Sequence, residues 1–325
     1  MMREQSRVRA WFLSYGVVLL AVLMWSTSEI LQKLLQNTVP PISKSFLRFV
    51  IGMLPLMIIL LLKRDFNLGG FWRRYWKHLI LAGVIGFGIG NVVYFLGVIR
   101  TQANVGSAIY GSYPIFISLY SIFWVKENRN LPRRFFGYFL GFLGILILVV
   151  QGNWGTLVAA DYIVGNLLVL AGAAIWSIFS VIGKWIANDA HGEISNVELK
   201  FNFLAMVLAG VTNFLILLWI PNERITLFGY PAVSWIYLLI LGVVTTGIGT
   251  WLFFLGIKQI PVSQGIALAN FKPVFVAGFA FLILHEALTI GLWIGIPLIF
   301  CATYFVTTNP TSNTKSKREE RISPK

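Results

Sequence analysis

Apolar runs of about twenty residues, separated by short polar connections, fill the chain from end to end. They fall at approximately 13–35, 43–62, 79–99, 104–124, 135–151, 162–186, 200–220, 232–256, 263–284 and 289–308. A hydrocarbon layer about 30 Å thick needs roughly 20 residues of helix to cross it, and only helices or closed barrels satisfy the backbone there. The alternation of period two that marks a barrel strand is absent from these runs. The expected fold is therefore all-α, a polytopic membrane protein of about ten transmembrane helices.

The pattern repeats. Shifting the chain by 159 residues lays Gly83–Glu127 on Gly242–Glu286 without a gap, and 13 of the 45 aligned positions are identical. The matches include Gly88/Gly247, Gly90/Gly249, Phe95-Leu96-Gly97 with Phe254-Leu255-Gly256, Pro114/Pro273 and Glu127/Glu286. A shift of 151 sets Trp25-Ser26 and Lys33 on Trp176-Ser177 and Lys184. The reading is a duplicated five-helix unit, residues 13–151 and 162–308, between a cytoplasmic segment 1–12 and a disordered tail 309–325. Five is odd, so the two copies enter the membrane from opposite sides, and inverted repeats of this kind place a solute site near the midplane at their interface.

Composition changes the picture in one respect. Only 12% of residues are charged while 57% are hydrophobic, against about 25% charged in soluble domains. The formal net charge of +14 raises nucleic acid as a partner, but the basic residues sit between the apolar runs. Arg3, Arg7 and Arg9 precede the first run; Lys63, Arg64, Arg73, Arg74 and Lys77 follow the second; Lys126, Arg129, Arg133 and Arg134 follow the fourth. Alternate connections hold only Lys44, Arg100 and Arg224. This is the positive-inside pattern. It places both termini in the cytoplasm, makes the lipid bilayer the partner, and gives no reason to invoke nucleic acid. The first run follows its arginines as a signal peptide would, but it lacks a small-residue cleavage site and reads as a retained span.

Together these residues resemble the EamA branch of the drug/metabolite transporter superfamily. The likeness rests on Trp25, Lys33, Arg48, Asn91 to Gly97, and Ala108 through Pro114 to Glu127, with Trp176, Lys184, Gly256, Ala267, Pro273 and Glu286 in the second copy. Lys272 departs from the pattern, standing before Pro273 where many relatives have an acidic or neutral residue. The resemblance implies ten helices in a cell membrane and carriage of small metabolites, usually outward.

Ionisable residues inside spans are costly and mark functional sites. Glu29 and Lys33 lie four apart on one face of the first span; Glu29 either pairs with Lys33 or faces a cavity where it binds a substrate amine or a coupling proton. Lys272, near the middle of the ninth span beside Pro273, either captures a substrate anion or pairs with Glu29 across the repeat interface. Arg48, about five residues into its span, can send its stem toward the surface. Glu127 and Glu286 close the fourth and ninth spans and are read, with Lys33, Arg48 and Lys184, as gating or structural charges. Asn91, Tyr94, Tyr110, Tyr113, Trp176 and Asn270 are candidates to orient a substrate, and Pro114 and Pro273 are candidate hinges.

Other chemistries lack a signature. The stretch Gly83–Gly90 is Gly-rich, but no Lys-Ser or Lys-Thr follows it and no strand precedes it. His78, His191 and His285 have no metal-ligand spacing, and Cys301 is alone, so neither metal, cofactor nor internal disulfide is expected. A secondary transporter for small solutes is the leading reading; an integral-membrane enzyme acting on lipid-linked substrates and a non-transporting scaffold are the alternatives, and assembly into a homo-oligomer stays open.

Overall fold

The computed structural model describes residues 2–124, 131–150, 160–190, 192–220, 228–257, 268–269 and 271–307. Glu127 and Asn270 lie outside them, as does the tail. Helices account for most of the described residues. In order they are α1 Met2–Leu34, α2 Pro41–Leu62, α3 Leu68–Val98, α4 Ala103–Tyr110, α5 Tyr113–Trp124, α6 Leu131–Val150, α7 Ala160–Asp189, α8 Val197–Leu218, α9 Ala232–Ile257, α10 Lys272–Leu284 and α11 Ile290–Thr307. Among the described residues seven helices are long and apolar enough to cross a membrane, and Lys272–Leu284 and Ile290–Phe305 are shorter apolar helices.

Two boundaries differ from the hydropathy reading. The first helix begins at Met2, and the third begins at Leu68, well before residue 79. Asn67 caps the third helix by accepting from the Gly70 amide. Its first turns are amphipathic, burying Phe71, Tyr75 and Leu79 while Arg73, Arg74 and Lys77 face outward. That polar face depressed the hydropathy of the segment without preventing the helix.

The sequence repeat appears in the backbone. Within α3, residues Leu81–Ile89 form wider π turns before Gly90–Val98 returns to α-helix. Within α9, Ile240–Ile248 do the same before Gly249–Ile257. All four boundaries are 159 residues apart. The helix break at Gly111–Ser112 is followed by α5 from Tyr113, and α10 begins at the equivalent Lys272. Pro114 and Pro273 therefore sit in the first turn of these helices, where a missing N–H leaves no bond unmade.

The halves interleave. Helix α3 of the first half packs along α7 and α8 of the second, and α9 of the second packs along α1 and α2 of the first. Glycine permits the close approach. A Cβ on Gly97 would stand 2.7 Å from the Val169 backbone nitrogen, and one on the repeat-related Gly256 would stand 2.5 Å from Val18 Cγ2. Where α2 crosses α9, a Cβ on Gly247 would meet the Gly52 carbonyl at 2.5 Å. Overpacking of this kind costs about 1–3 kcal/mol. Gly97→Ala is expected to lower the thermal unfolding midpoint in detergent, whereas Gly278→Ala, with nothing within 4 Å of the added carbon, leaves it unchanged or raises it. Equal midpoints for the two variants would refute the close α3–α7 contact.

Candidate functional site

Trp25, Ser28, Glu29 and Gln32 recur at i, i+3, i+4 and i+7, so one face of α1 carries all four. Phe87, Asn91 and Tyr94 form the matching stripe on α3. Where these faces meet α2, α4, α5, α7, α9 and α10, a cavity is lined by Trp25, Ser28, Arg48, Phe87, Asn91, Tyr94, Tyr110, Tyr113, Trp176, Thr245, Thr250, Ala269 and Lys272. Both halves contribute, and several lining residues are repeat-related: Trp25 with Trp176, Asn91 with Thr250, Tyr110 with Ala269, and Tyr113 with Lys272.

At its heart is an ion pair. Glu29 is fully buried, and Lys272 Nζ donates to its Oε1 at 2.6 Å. The Tyr94 hydroxyl donates to the same oxygen, while Oε2 has no hydrogen-bond partner among the described residues. Lys272 Nζ also stands 4.9 Å from the Tyr110 ring centroid and 5.9 Å from that of Tyr94, within range of cation–π attraction. The pair joins the first helix of one half to the ninth-span helix of the other. Glu29 thus takes Lys272, and not Lys33, as its partner.

Arg48 turns inward rather than toward the surface. Its Nε donates to Thr246 Oγ1, and Nη1 donates to Asn91 Oδ1 at 3.0 Å. Asn91 is fixed in turn by donating to the Phe87 carbonyl at 2.8 Å, and Thr246 by donating to the Leu241 carbonyl at 2.7 Å. Phe95 lies below the guanidinium, 5.3 Å from its centroid. Much of the remaining cavity wall is aromatic. Trp176 meets Tyr113 edge-on at 5.1 Å and Trp25 at 6.4 Å, and Tyr94 lies 4.5 Å from Tyr110.

The remaining candidates lie away from this chamber. Glu286, beyond the end of α10, accepts from the Ala103 amide at 2.9 Å and caps α4; near it, Lys33 is half-buried at the end of α1. Lys184 is half-buried on α7.

The opposite end of the bundle carries a cluster that hydropathy did not reveal. Lys200 Nζ pairs with Asp65 Oδ1 at 2.6 Å, while Ser195 and Asn196 donate to Asp65 Oδ2 at 2.6 and 2.8 Å. Arg74 pairs with Asp189 at 3.0 Å and with Glu193, and the Tyr75 hydroxyl donates to Asp189 at 2.7 Å. Every bond here ties the α2–α3 connection or the start of α3 to the α7–α8 connection or the helix ends beside it, hence one half to the other. Acidic and basic residues near both connections were the available signal, but their pairing is fixed only by the fold.

Residues 12–150 and 163–308 each match the model of the EamA-like transporter family. The chain belongs to that family. It is 25% identical over 295 residues to the uncharacterized transporter YoaV of Bacillus subtilis, covering 89% of this chain and 95% of that protein. It is 27% identical over 270 residues to the aromatic amino acid exporter YddG of Ancylobacter novellus, covering 80% of this chain and 87% of that one. A third relative is the S-adenosylmethionine/S-adenosylhomocysteine transporter of Chlamydia trachomatis, 25% identical over 201 residues, covering 60% of this chain and 58% of that one. A solved crystal structure shares the fold with a TM-score of 0.64 and 21% identity, over 90% of this chain and 95% of that one. The family accounts for the two inverted repeats and for a multi-pass membrane protein that acts as a transporter.

The Asp65 cluster has a pH signature. Burial pushes this carboxyl up, but the hydrogen bonds from Lys200, Ser195 and Asn196 and the Lys200 charge outweigh it and bring its pKa down from 3.8 to about 2. A depressed carboxylate contributes stability above its unfolded pKa and loses it as pH falls through the folded value. The unfolding midpoint of Asp65→Asn should therefore lie below wild type at pH 5–7, with the gap closing as pH falls from about 4 toward 2. A gap independent of pH would contradict the charged cluster.

Proposed function

We propose that this protein is a secondary exporter of small polar or amphipathic metabolites, working by alternating access. The observation that carries the reading is the Lys272–Glu29 ion pair, buried in a cavity lined from both inverted halves. A permanently structural pair has no need of an aromatic chamber around it, and a scaffold has no need of midplane charge at all. Each half, 13–151 and 162–308, rocks against the other about this pair, with both termini cytoplasmic as the basic connections imply. Opening the Asp65 cluster exposes the cavity to the cytoplasm; parting Glu286 from the start of α4 exposes it to the far side. Pro114 and Pro273 mark the backbone at which the cavity-lining helices bend.

Small amphipathic solutes, amino-acid-like or other, fit this chamber, with a polar end against Lys272 and Arg48 and a body against Trp25, Trp176 and the tyrosines. The names of the relatives from Ancylobacter and Chlamydia agree with such a class. No nucleotide drive is needed, because a solute gradient or an ion gradient moves a rocking carrier.

Removing one partner of a buried ion pair strands the other. In proteoliposomes loaded with a pooled metabolite library, wild type should show saturable counterflow of at least one solute. Glu29→Gln and Lys272→Ala should each reduce its rate by about tenfold or more. Wild-type rates in both variants would remove the ion pair from the mechanism, and chemically altered products would show an enzyme instead of a carrier.

A further inference from the structure

The charges that meet in the cavity do not cancel. Among the described residues Arg48 and Lys272 line it, and Glu29 stands behind Lys272. Two cations and one carboxylate leave one positive charge. Glu29 is bound to Lys272, so the surplus belongs to Arg48, whose hydrogen bonds among the described residues go to the neutral Thr246 and Asn91. Arg48 is 8% exposed. A guanidinium withdrawn from water without an anion is costly, and here it is held in place by acceptors that are themselves tied down. Nε and one N–H of Nη1 are engaged, which leaves the outer edge of the guanidinium fork for a ligand.

A second observation points the same way. Tyr113, which lines the cavity and is 4% exposed, has a buried hydroxyl with no hydrogen-bond partner among the described residues. It stands at the repeat position of Lys272 and closes an aromatic wall with Trp176. A ligand with an acceptor group for Arg48, within reach of a hydroxyl donor and with a flat apolar body, completes the set.

We propose that the cavity binds a small organic monoanion, a carboxylate on an aromatic or apolar body, and that transport moves one net negative charge outward per cycle. The proposal rests on the carrier reading above and names its substrate class. A monoanion brings the chamber to neutrality with Glu29 still on Lys272, so no proton need accompany it. A zwitterion or an amide leaves the surplus charge in place, an organic cation doubles it, and a dianion overshoots. The charge sum therefore ranks monoanions first and cations last. An inside-negative membrane potential then drives the anion out, and each 100 mV of potential shifts the final gradient of a singly charged solute by about 50-fold.

The test is efflux from proteoliposomes loaded with five phenyl compounds at equal concentration, read by mass spectrometry. They are 3-phenylpropionate, phenylalanine, 3-phenylpropionamide, 2-phenylethylamine and phenyl phosphate. Efflux is compared at zero potential and at about −100 mV inside, set with potassium and valinomycin. The expected result is that 3-phenylpropionate leaves at least tenfold faster than the amine and faster than the other three. The negative potential should speed it further, and Arg48→Gln should abolish the preference while Arg48→Lys retains part of it. The wild-type potential dependence stands even if a variant fails to fold. Saturable efflux led by phenylalanine, the amine, the amide or phenyl phosphate, or 3-phenylpropionate efflux indifferent to potential, would overturn the monoanion assignment and leave the carrier standing. Absence of saturable efflux for all five, together with absence of counterflow for every member of the metabolite pool, would bring down the carrier reading and this proposal with it. Counterflow of pool members that excludes monoanions would overturn the proposal alone.

Discussion

A carboxylate and an ammonium inside a membrane-spanning bundle are tolerated because they meet each other, and in this protein they come from opposite halves. Glu29 rides on α1 and Lys272 on α10, so the 2.6 Å contact between them is a bond across the repeat interface. Breaking such a pair by deleting one member costs about 3–5 kcal/mol, a large fraction of the roughly 5–15 kcal/mol that stabilises a typical domain. The pair therefore acts as a fixed point. The aromatic walls, the Arg48 tether and the two end clusters are arranged around it.

The interleaving of the halves follows from small residues. Each half sends its π-containing helix, α3 or α9, between the first two helices of the other, and only glycines at the crossings let the backbones come that close. The consequence is a cavity that neither half could form alone. Its two ends are secured differently. At the Asp65 end charged groups clamp α2–α3 to α7–α8; at the Glu286 end a carboxylate caps the start of α4. In the rocking mechanism proposed above, motion of one half relative to the other exchanges which set of contacts is intact, while the central pair persists.

Much of this was legible in the sequence. The 159-residue shift laid on one another the two stretches in which the structure shows π turns, and set Tyr113 on Lys272, because the glycines that require close packing survived in both copies. Glu29 and Lys272 stood out because ionisable residues at that depth have few bland explanations. Arg48 was read differently, since a residue five positions into a span can snorkel outward or turn inward and only the neighbours Thr246 and Asn91 decide. The early start of α3 was hidden by Arg73, Arg74 and Lys77, although Phe71, Tyr75 and Leu79 at intervals of four mark its buried stripe. The clamp of Asp65 by Lys200 joins residues far apart in sequence, and no local pattern encodes it.

The central claim is that the two ends open reciprocally about the Glu29–Lys272 pair. It is tested most directly by distance measurements between spin labels in lipid nanodiscs, on a Cys301→Ser background. One pair, at positions 62 and 188, reports the Asp65 end; a second, at positions 36 and 233, reports the other. Introducing Asp65→Asn should lengthen the first distance and shorten the second in the same population of molecules. Distances that stay fixed at both ends, or that lengthen together, would contradict the rocking account.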